Sequence, residues 1–268
     1  MKFTNRTVYT LLIALCLIGF WVFENFYTPD LYSAPDGEAS KTEMNEMFLP
    51  SSTTGAIVHH DHFSLSYHEK YEQAEWVAYV LRKNHLTYDD RERPYFIEDP
   101  KVKTKSADWR NYKRSGYDRG HLCPAGDRRF SEYAYNETFY TSNISPQDRD
   151  FNAGVWNRLE MQVRQWAKKY GDIQVVTGGI LEKGLWTIGE EDVAIPKYYY
   201  KIVSRGNVKN PKVLAFLIPH EESTSSLKNF VVTVDELERM TKIDFFEKMP
   251  DALESKFEAG KKTNNWKF

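Results

Sequence analysis

Apolar positions are distributed along this chain in three different ways. Residues 8–23 form one apolar run, preceded by Lys2 and Arg6 and ended by Glu24. Its length falls between a signal-peptide core and a full membrane span, so the flanks decide. No small-x-small cleavage site follows directly, and Trp21, Phe26 and Tyr27 stand where an interfacial aromatic belt lies, which indicates an uncleaved anchor. Positive charge before the run and acids after it place the N-terminus in the cytoplasm and the remainder outside. Cleavage near "YSAPDG", with secretion of the mature chain, is the alternative. Residues 1–27 therefore read as an anchor or signal segment. Residues 28–57, rich in Pro, Ser, Thr and acids with few periodic apolar positions, read as a flexible tether.

Residues 58–268 read as one folded domain. Alternating aromatic and β-branched positions predict strands over 63–67 and 75–81, and again within "DIQVVTGGIL", "AIPKYYYKIV" and "KVLAFLIPHE". Between them "NAGVWNRLEMQVRQWAKKYG" repeats Val155, Leu159, Val163 and Trp166 at helical spacing and stops at Gly171. A second helix, "TVDELERMTK", opens with Thr233 in capping position and Glu236 three residues on. Strands and helices without strict alternation predict an α+β fold.

Composition narrows this picture little, since 268 residues with 41% hydrophobic and 15% aromatic content can bury a sizeable core. Charge changes it more. The formal net charge is only −2, so contact with a polyanion needs a local patch. Between Lys101 and Arg129 there are nine Lys or Arg (101, 103, 105, 110, 113, 114, 119, 128 and 129) against three acids, Asp108, Asp118 and Asp127. The two cysteines, Cys16 in the apolar run and Cys123 in this patch, leave the soluble part without an internal disulfide.

The candidate chemistry lies in the same patch, in "SGYDRGHLCPAGDRR". A lone histidine is more often packed than catalytic, but His121 follows Arg119 by two residues. Imidazole titrates near neutrality and suits a base that takes a proton from water. Arg119 supplies a permanently charged planar fork for phosphate oxygens. Phosphodiester hydrolysis needs in addition a centre of positive charge for the leaving oxygen. Asn152, Trp156, Glu160 and Arg164 are spaced by four and form one helical ridge, on which Asn152 could offer a carbonyl oxygen to a hard cation. In the plainer reading Asn152 is an N-cap and Glu160 with Arg164 an ordinary surface ion pair, and spacing alone favours it.

"GYDRGHLCPAGD", followed by "TFYTSNISPQDRDFNAGVWNRLE", resembles the signature of the DNA/RNA non-specific endonuclease family. Ordered segments on either side, from "HFSLSYHEKYEQAEWVAYVL" through "ERPYFIEDP", "VVTGGI", "IPKYYYKIV" and "AFLIP" to "IDFFEKMPDALESKFE", extend the resemblance over roughly residues 58–258. It implies a central antiparallel sheet flanked by helices and carrying a ββα-metal (His-Me finger) site. It implies an endonuclease that hydrolyses DNA and RNA with little sequence preference and leaves 5′-phosphate and 3′-hydroxyl ends. By resemblance His121 is the general base and Asn152 the direct protein ligand of a divalent ion, Mg2+ or secondarily Mn2+. Glu160 orients metal-bound water, Arg164 stabilises the leaving side, Arg93 and Arg119 bind phosphate, and Asn143 supports the site. A homodimer is compatible with the resemblance.

Some positions depart from the family pattern. Ala153 stands where a longer amide is common, and Cys123 replaces a small apolar residue. Asp118 is expected to organise the loop, because a carboxylate beside the scissile phosphate would repel it. The "HHDH" run at residues 59–62 is expected to be solvated. The rival readings are a catalytically silent nucleic-acid-binding protein of the same fold and a zinc hydrolase built on "HHDH" with His220.

Overall fold

The computed structural model describes residues 5–34, 46–206, 211–250, 254, 260–261 and 263–268. Residues 35–45 of the expected tether, and most of "DALESKFE" in the closing segment, lie outside the described residues. The chain separates into two compact units, Met1–Asp36 and Gly37–Phe268. The first is built on helix α1 (Asn5–Phe26). Over Asn5–Phe23 its mean hydropathy is 1.9 and none of it is buried. Those 19 residues extend ~29 Å as a helix, close to the thickness of a bilayer core.

The second unit is organised by a seven-stranded antiparallel sheet. In chain order its strands are β1 (Ile57–His59), β2 (Ser64–His68) and β3 (Gln73–Leu81), then β6 (Ile173–Gly179), β9 (Tyr198–Arg205), β10 (Lys212–Pro219) and β11 (Val231–Val232), and they lie side by side in that order. Strands β4 (Asp118–His121) and β5 (Ile144–Gln147) pair apart from the sheet, as do the short β7 (Thr187–Ile188) and β8 (Val193–Ala194). The expected strand over 194–203 is split because Pro196 has no N–H to give a ladder.

Each central strand is buried on both faces, so its side chains divide by parity. Val77, Tyr79 and Leu81 of β3 point into one core, with Val163 and Trp166 of the long helix. Trp76, Ala78 and Val80 point into the other, with Val234 and Leu237 of the C-terminal helix and with Phe245 and Phe246. That helix, residues Val234–Thr241, starts at Thr233 with both hydrogen bonds of the expected capping box. Part of the expected tether joins the second core. Phe48 is buried there, Ser51 bonds Asp244, and Thr53 N–H donates to Glu75 Oε1 at 2.9 Å.

Two expectations about charge are corrected. Of the "HHDH" histidines His59 is exposed as expected, but the other two are not solvated: His60 is fully buried, with Nε2 2.8 Å from Asp99 Oδ2 and Nδ1 3.6 Å from Glu137 Oε1. His62 Nδ1 lies 2.5 Å from Glu137 Oε2. Two buried carboxylates need counter-charge, and these imidazoles provide it. Arg128, counted in the basic patch, is also fully buried, donating to the carbonyls of His62 and Val80 and lying 4.8 Å over the Tyr79 ring. It ties the patch to the core and is not available to a ligand.

Burial lowers the pKa of His60, but Asp99 and Glu137 more than offset it and push it up to about 9. Burial opposes the carboxylate charges in turn, yet the histidines hold both Asp99 and Glu137 below their ordinary values. The His60 contribution is therefore complete below its ordinary value of 6.5 and lost as pH rises through about 9. The carboxylate contributions are present above their ordinary values, 3.8 and 4.5, and lost in acid. Denaturant midpoints should fall from pH 6.5 to 9 in the native chain. His60→Ala should cost about 3–5 kcal/mol near pH 6 and flatten that alkaline slope; an unchanged slope would show that His60 is not its source.

Candidate active site

Strand β4 pairs with β5 so that Asp118 faces Gln147, Gly120 faces Ser145 and His121 faces Ile144. Gly120 is required, since a Cβ there would overlap the Gln147 side chain. The pair is anchored from below. Ser145 Oγ donates to Gln73 Oε1 at 2.6 Å and meets the Tyr199 hydroxyl at 2.6 Å, both on the main sheet. Asn143 closes the opposite end. Its Oδ1 accepts Cys123 N–H at 2.8 Å, and its Nδ2 donates to the carbonyls of Cys123 and Thr138 at 3.0 and 2.9 Å. Asn143 is fully buried and bonds the backbone of Cys123, so it supports the chain after β4 without lining the cleft.

The chain after β5 enters a helix in three parts: α3 (Arg149–Phe151), a π-turn over Asn152–Trp156, and α4 (Asn157–Tyr170). Asp148 is the N-cap, accepting from Asp150 and Phe151 N–H at 2.9 and 3.0 Å. Asn152 is therefore not the N-cap, and its side chain is available for another purpose. Two antiparallel strands followed directly by a helix make the ββα unit.

One cleft of about 450 Å³ brings together Arg93, Asp118, Arg119, His121 and Asn152, with Tyr112, Tyr117 and Phe139 among its walls. Arg93 reaches it because Phe96 packs on Phe139 at 5.0 Å and Ile97 forms a β-bridge with Tyr140. Both arginines lie over aromatic rings: Arg93 is 5.4 Å from the Phe96 centroid, and Arg119 is 4.8 Å from the same centroid and 5.9 Å from that of Trp109. Among the described residues neither cation has a carboxylate partner within ion-pair distance, so their charge is available to an anion. Burial and the neighbouring Arg93 lower the pKa of Arg119.

His121 sits edge-on to Phe139 at 4.9 Å and 5.6 Å from Phe96. Its Nε2 is buried and has no hydrogen-bond partner in the protein. Burial, and secondarily the charge of Arg93, push its pKa down to about 3, so the ring is neutral at physiological pH. Asn152 Nδ2 donates to Asp118 Oδ2 at 3.1 Å. With its amide nitrogen so engaged, Asn152 presents Oδ1 as its remaining polar atom. A carboxamide oxygen next to a carboxylate suits a hard, oxygen-seeking cation such as Mg2+ or Mn2+.

Glu160 and Arg164 lie further along the helix, outside the lining of this cleft. They pair at 3.3 Å, and Arg164 Nε donates to Asp127 Oδ1 at 2.5 Å. Burial pushes the pKa of Glu160 up to about 7 against the opposing pull of Arg164 and Lys201. Lys201 is fully buried, 4.6 Å over the Trp156 ring. Sequence reasoning assigned no role to Asp127 or Lys201. Asp127 closes the signature "GHLCPAGD", which was a signal for it; Lys201 looks like any strand lysine.

Cys123 and His220 take no part in the cleft. Cys123 is buried and its thiol pushed up to about 12 by desolvation, which removes it as a nucleophile at neutral pH. His220 has both ring nitrogens engaged, Nε2 accepting Asp148 N–H at 2.6 Å and Nδ1 donating to the Pro196 carbonyl at 2.8 Å. Among the described residues no group of three or more His, Cys, Asp or Glu could hold a metal ion, so the zinc reading finds no site there.

Comparison with known proteins identifies the family and the fold. The family model described as DNA/RNA non-specific endonuclease matches residues 40–252. The mitochondrial nuclease EXOG of Homo sapiens is 36% identical over 230 residues, covering 79% of this chain and 62% of that protein. Mitochondrial endonuclease G of Caenorhabditis elegans is 33% identical over 214 residues (71% and 68%), and nuclease C1 of Cunninghamella echinulata var. echinulata 31% over 224 (75% and 87%). The chain thus spans about three fifths of the length of the human relative. In a crystal structure of the EndoG/EndoGI complex one chain superposes with a TM-score of 0.67 at 28% identity, covering 73% of this chain and 87% of that one. With the family model covering most of the sequence and the ββα unit in place, the chain belongs to the DNA/RNA non-specific endonuclease family.

Proposed function

We propose that the chain is a metal-dependent endonuclease that hydrolyses phosphodiester bonds of DNA and RNA with little sequence preference, leaving 5′-phosphate and 3′-hydroxyl ends. The observation that carries this reading is the convergence of Arg93, Arg119, His121 and Asn152 on one cleft. Binding alone needs the arginines. It does not need a neutral, desolvated imidazole or a carboxamide aimed by a carboxylate.

Arg93 and Arg119 hold non-bridging phosphate oxygens and orient the diester. His121, neutral and with Nε2 unpartnered in the protein, takes the proton of the attacking water. Asn152 Oδ1 would hold the divalent ion; roles for Glu160 on a water of that ion and for Arg164 at the leaving side follow from the family resemblance alone, since both lie outside the lining of the cleft. The bound cation supplies positive charge to the leaving oxygen and the phosphate. The product ends follow from the family resemblance, as do Mg2+ as the first choice of metal and Mn2+ as the second.

His121→Ala should lower turnover by roughly 10²–10⁴ and leave nucleic-acid affinity nearly intact, as plasmid cleavage and filter binding would show. Asn152→Ala should raise the Mg2+ concentration for half-maximal activity at least about tenfold. Arg119→Ala should weaken affinity and turnover together, because a phosphate clamp acts in both ground and transition states. A wild-type chain that binds plasmid but does not cut it at any Mg2+ or Mn2+ concentration would leave the silent-binder reading in its place.

On the same reading α1 anchors the chain in a membrane, with the nuclease domain on the non-cytoplasmic side. Full-length protein should stay with membranes after alkaline carbonate, and its domain should be cut by protease added from that side. A soluble chain beginning beyond residue 23 would show instead that α1 is a cleaved signal.

A further inference from the structure

The segment after β10 grips the front of the Asn152 helix at several points. His220 accepts Asp148 N–H at 2.6 Å. Glu222 Oε2 accepts Val155 N–H at 2.9 Å. Arg158 donates through Nη1 to the Ser225 carbonyl at 3.2 Å and through Nη2 to that of Ser223. These grips fall on both sides of the π-turn that contains Asn152.

In a regular helix the Val155 N–H would serve the carbonyl four residues back. Here a side chain takes it, and at Gly154 (φ −96°, ψ −108°) the backbone leaves helical values. The two features fit each other, because a Cβ at residue 154 would overlap the Glu222 carboxylate. A π-turn inserts one residue into the helical repeat and so rotates the residues before it by about 100° relative to those after it. Asn152 stands on the N-terminal side, facing Asp118, while Glu160 and Arg164 keep the register of α4.

We propose that Glu222 is a positioning residue for the metal site. It holds the π-turn open from outside the cleft, so that Asn152 keeps its amide on Asp118 and its carbonyl oxygen toward the cleft. Gly154 is the residue that makes room for it. This inference rests on the reading of Asn152 as the metal ligand.

The test is Mn2+ affinity of the full-length chain in detergent, read by electron paramagnetic resonance of free Mn2+, for Glu222→Ala, Glu222→Gln, Gly154→Ala and Asn152→Ala. Glu222→Ala should weaken binding about tenfold or more, the effect typical of losing an outer partner of a metal ligand. Glu222→Gln should bind as the native chain does, because its carbonyl oxygen accepts the same N–H. Gly154→Ala should match Glu222→Ala, since the added methyl displaces the carboxylate, and it decides the matter if Glu222→Ala does not fold. If Asn152→Ala leaves Mn2+ affinity unchanged, the ligand reading fails and the proposal with it. Weakened binding in Asn152→Ala together with native affinity in both Glu222→Ala and Gly154→Ala overturns the positioning role alone, as does a Glu222→Gln protein no better than Glu222→Ala.

Discussion

Everything proposed for this site depends on the pairing of Asp118–His121 with Ile144–Gln147. Four residues of ladder are too few to stand alone. They are held because Ser145 is bonded to Gln73 and Tyr199 of the main sheet, and because the Asn143 carboxamide fastens the chain on both sides of Cys123. The ladder then fixes three things at once. It directs His121 toward the aromatic wall, places Arg119 over Phe96, and sets Asp118 where it meets Asn152 of the next helix. A one-residue slip would send each side chain to the opposite face.

The electrostatic arrangement is a result of this placement. Two guanidiniums share one cleft without carboxylate partners at ion-pair distance among the described residues, a costly arrangement for stability that a bound anion would relieve. Desolvation, and secondarily the charge of Arg93, keeps His121 neutral. The acids are kept to specific tasks: Asp118 aims an amide, Asp127 and Glu160 hold Arg164, and Asp99 and Glu137 are neutralised in the core by His60 and His62. Repulsion of a polyanion by the site is thereby reduced without removing the carboxylates.

Much of the fold was legible in the sequence because strands and helices with one buried face leave a periodic trace. The strands around Val77, Val175, Tyr200 and Phe216, the long helix and its stop at Gly171, and the capping box at Thr233 all left one. Interactions between residues distant in the chain left none. His60 and His62 look like surface residues until Asp99 and Glu137 are placed beside them. Arg128 looks like a neighbour of Arg129 until it is seen to fill the core. The π-turn is not visible either, because Val155, Leu159 and Val163 keep helical spacing across it and its cause, Glu222, lies 67 residues from Val155. Of the site, the motif residues stood out by resemblance and Asp127 by its place at the end of "GHLCPAGD", while Lys201 and Glu222 carry no local signature.

The central claim is that the ladder brings a carboxamide and an imidazole to one cleft for different tasks, the first to hold a cation and the second to stay outside its coordination and accept a proton. The most direct measurement is the anomalous scattering of Mn2+ in crystals of the full-length chain bound to a short uncleaved oligonucleotide. The account predicts one peak in the cleft about 2.0–2.6 Å from Asn152 Oδ1, with no nitrogen of His121 in the coordination shell. A peak ligated by His121, or one at His59 to His62 with none beside Asn152, would contradict it.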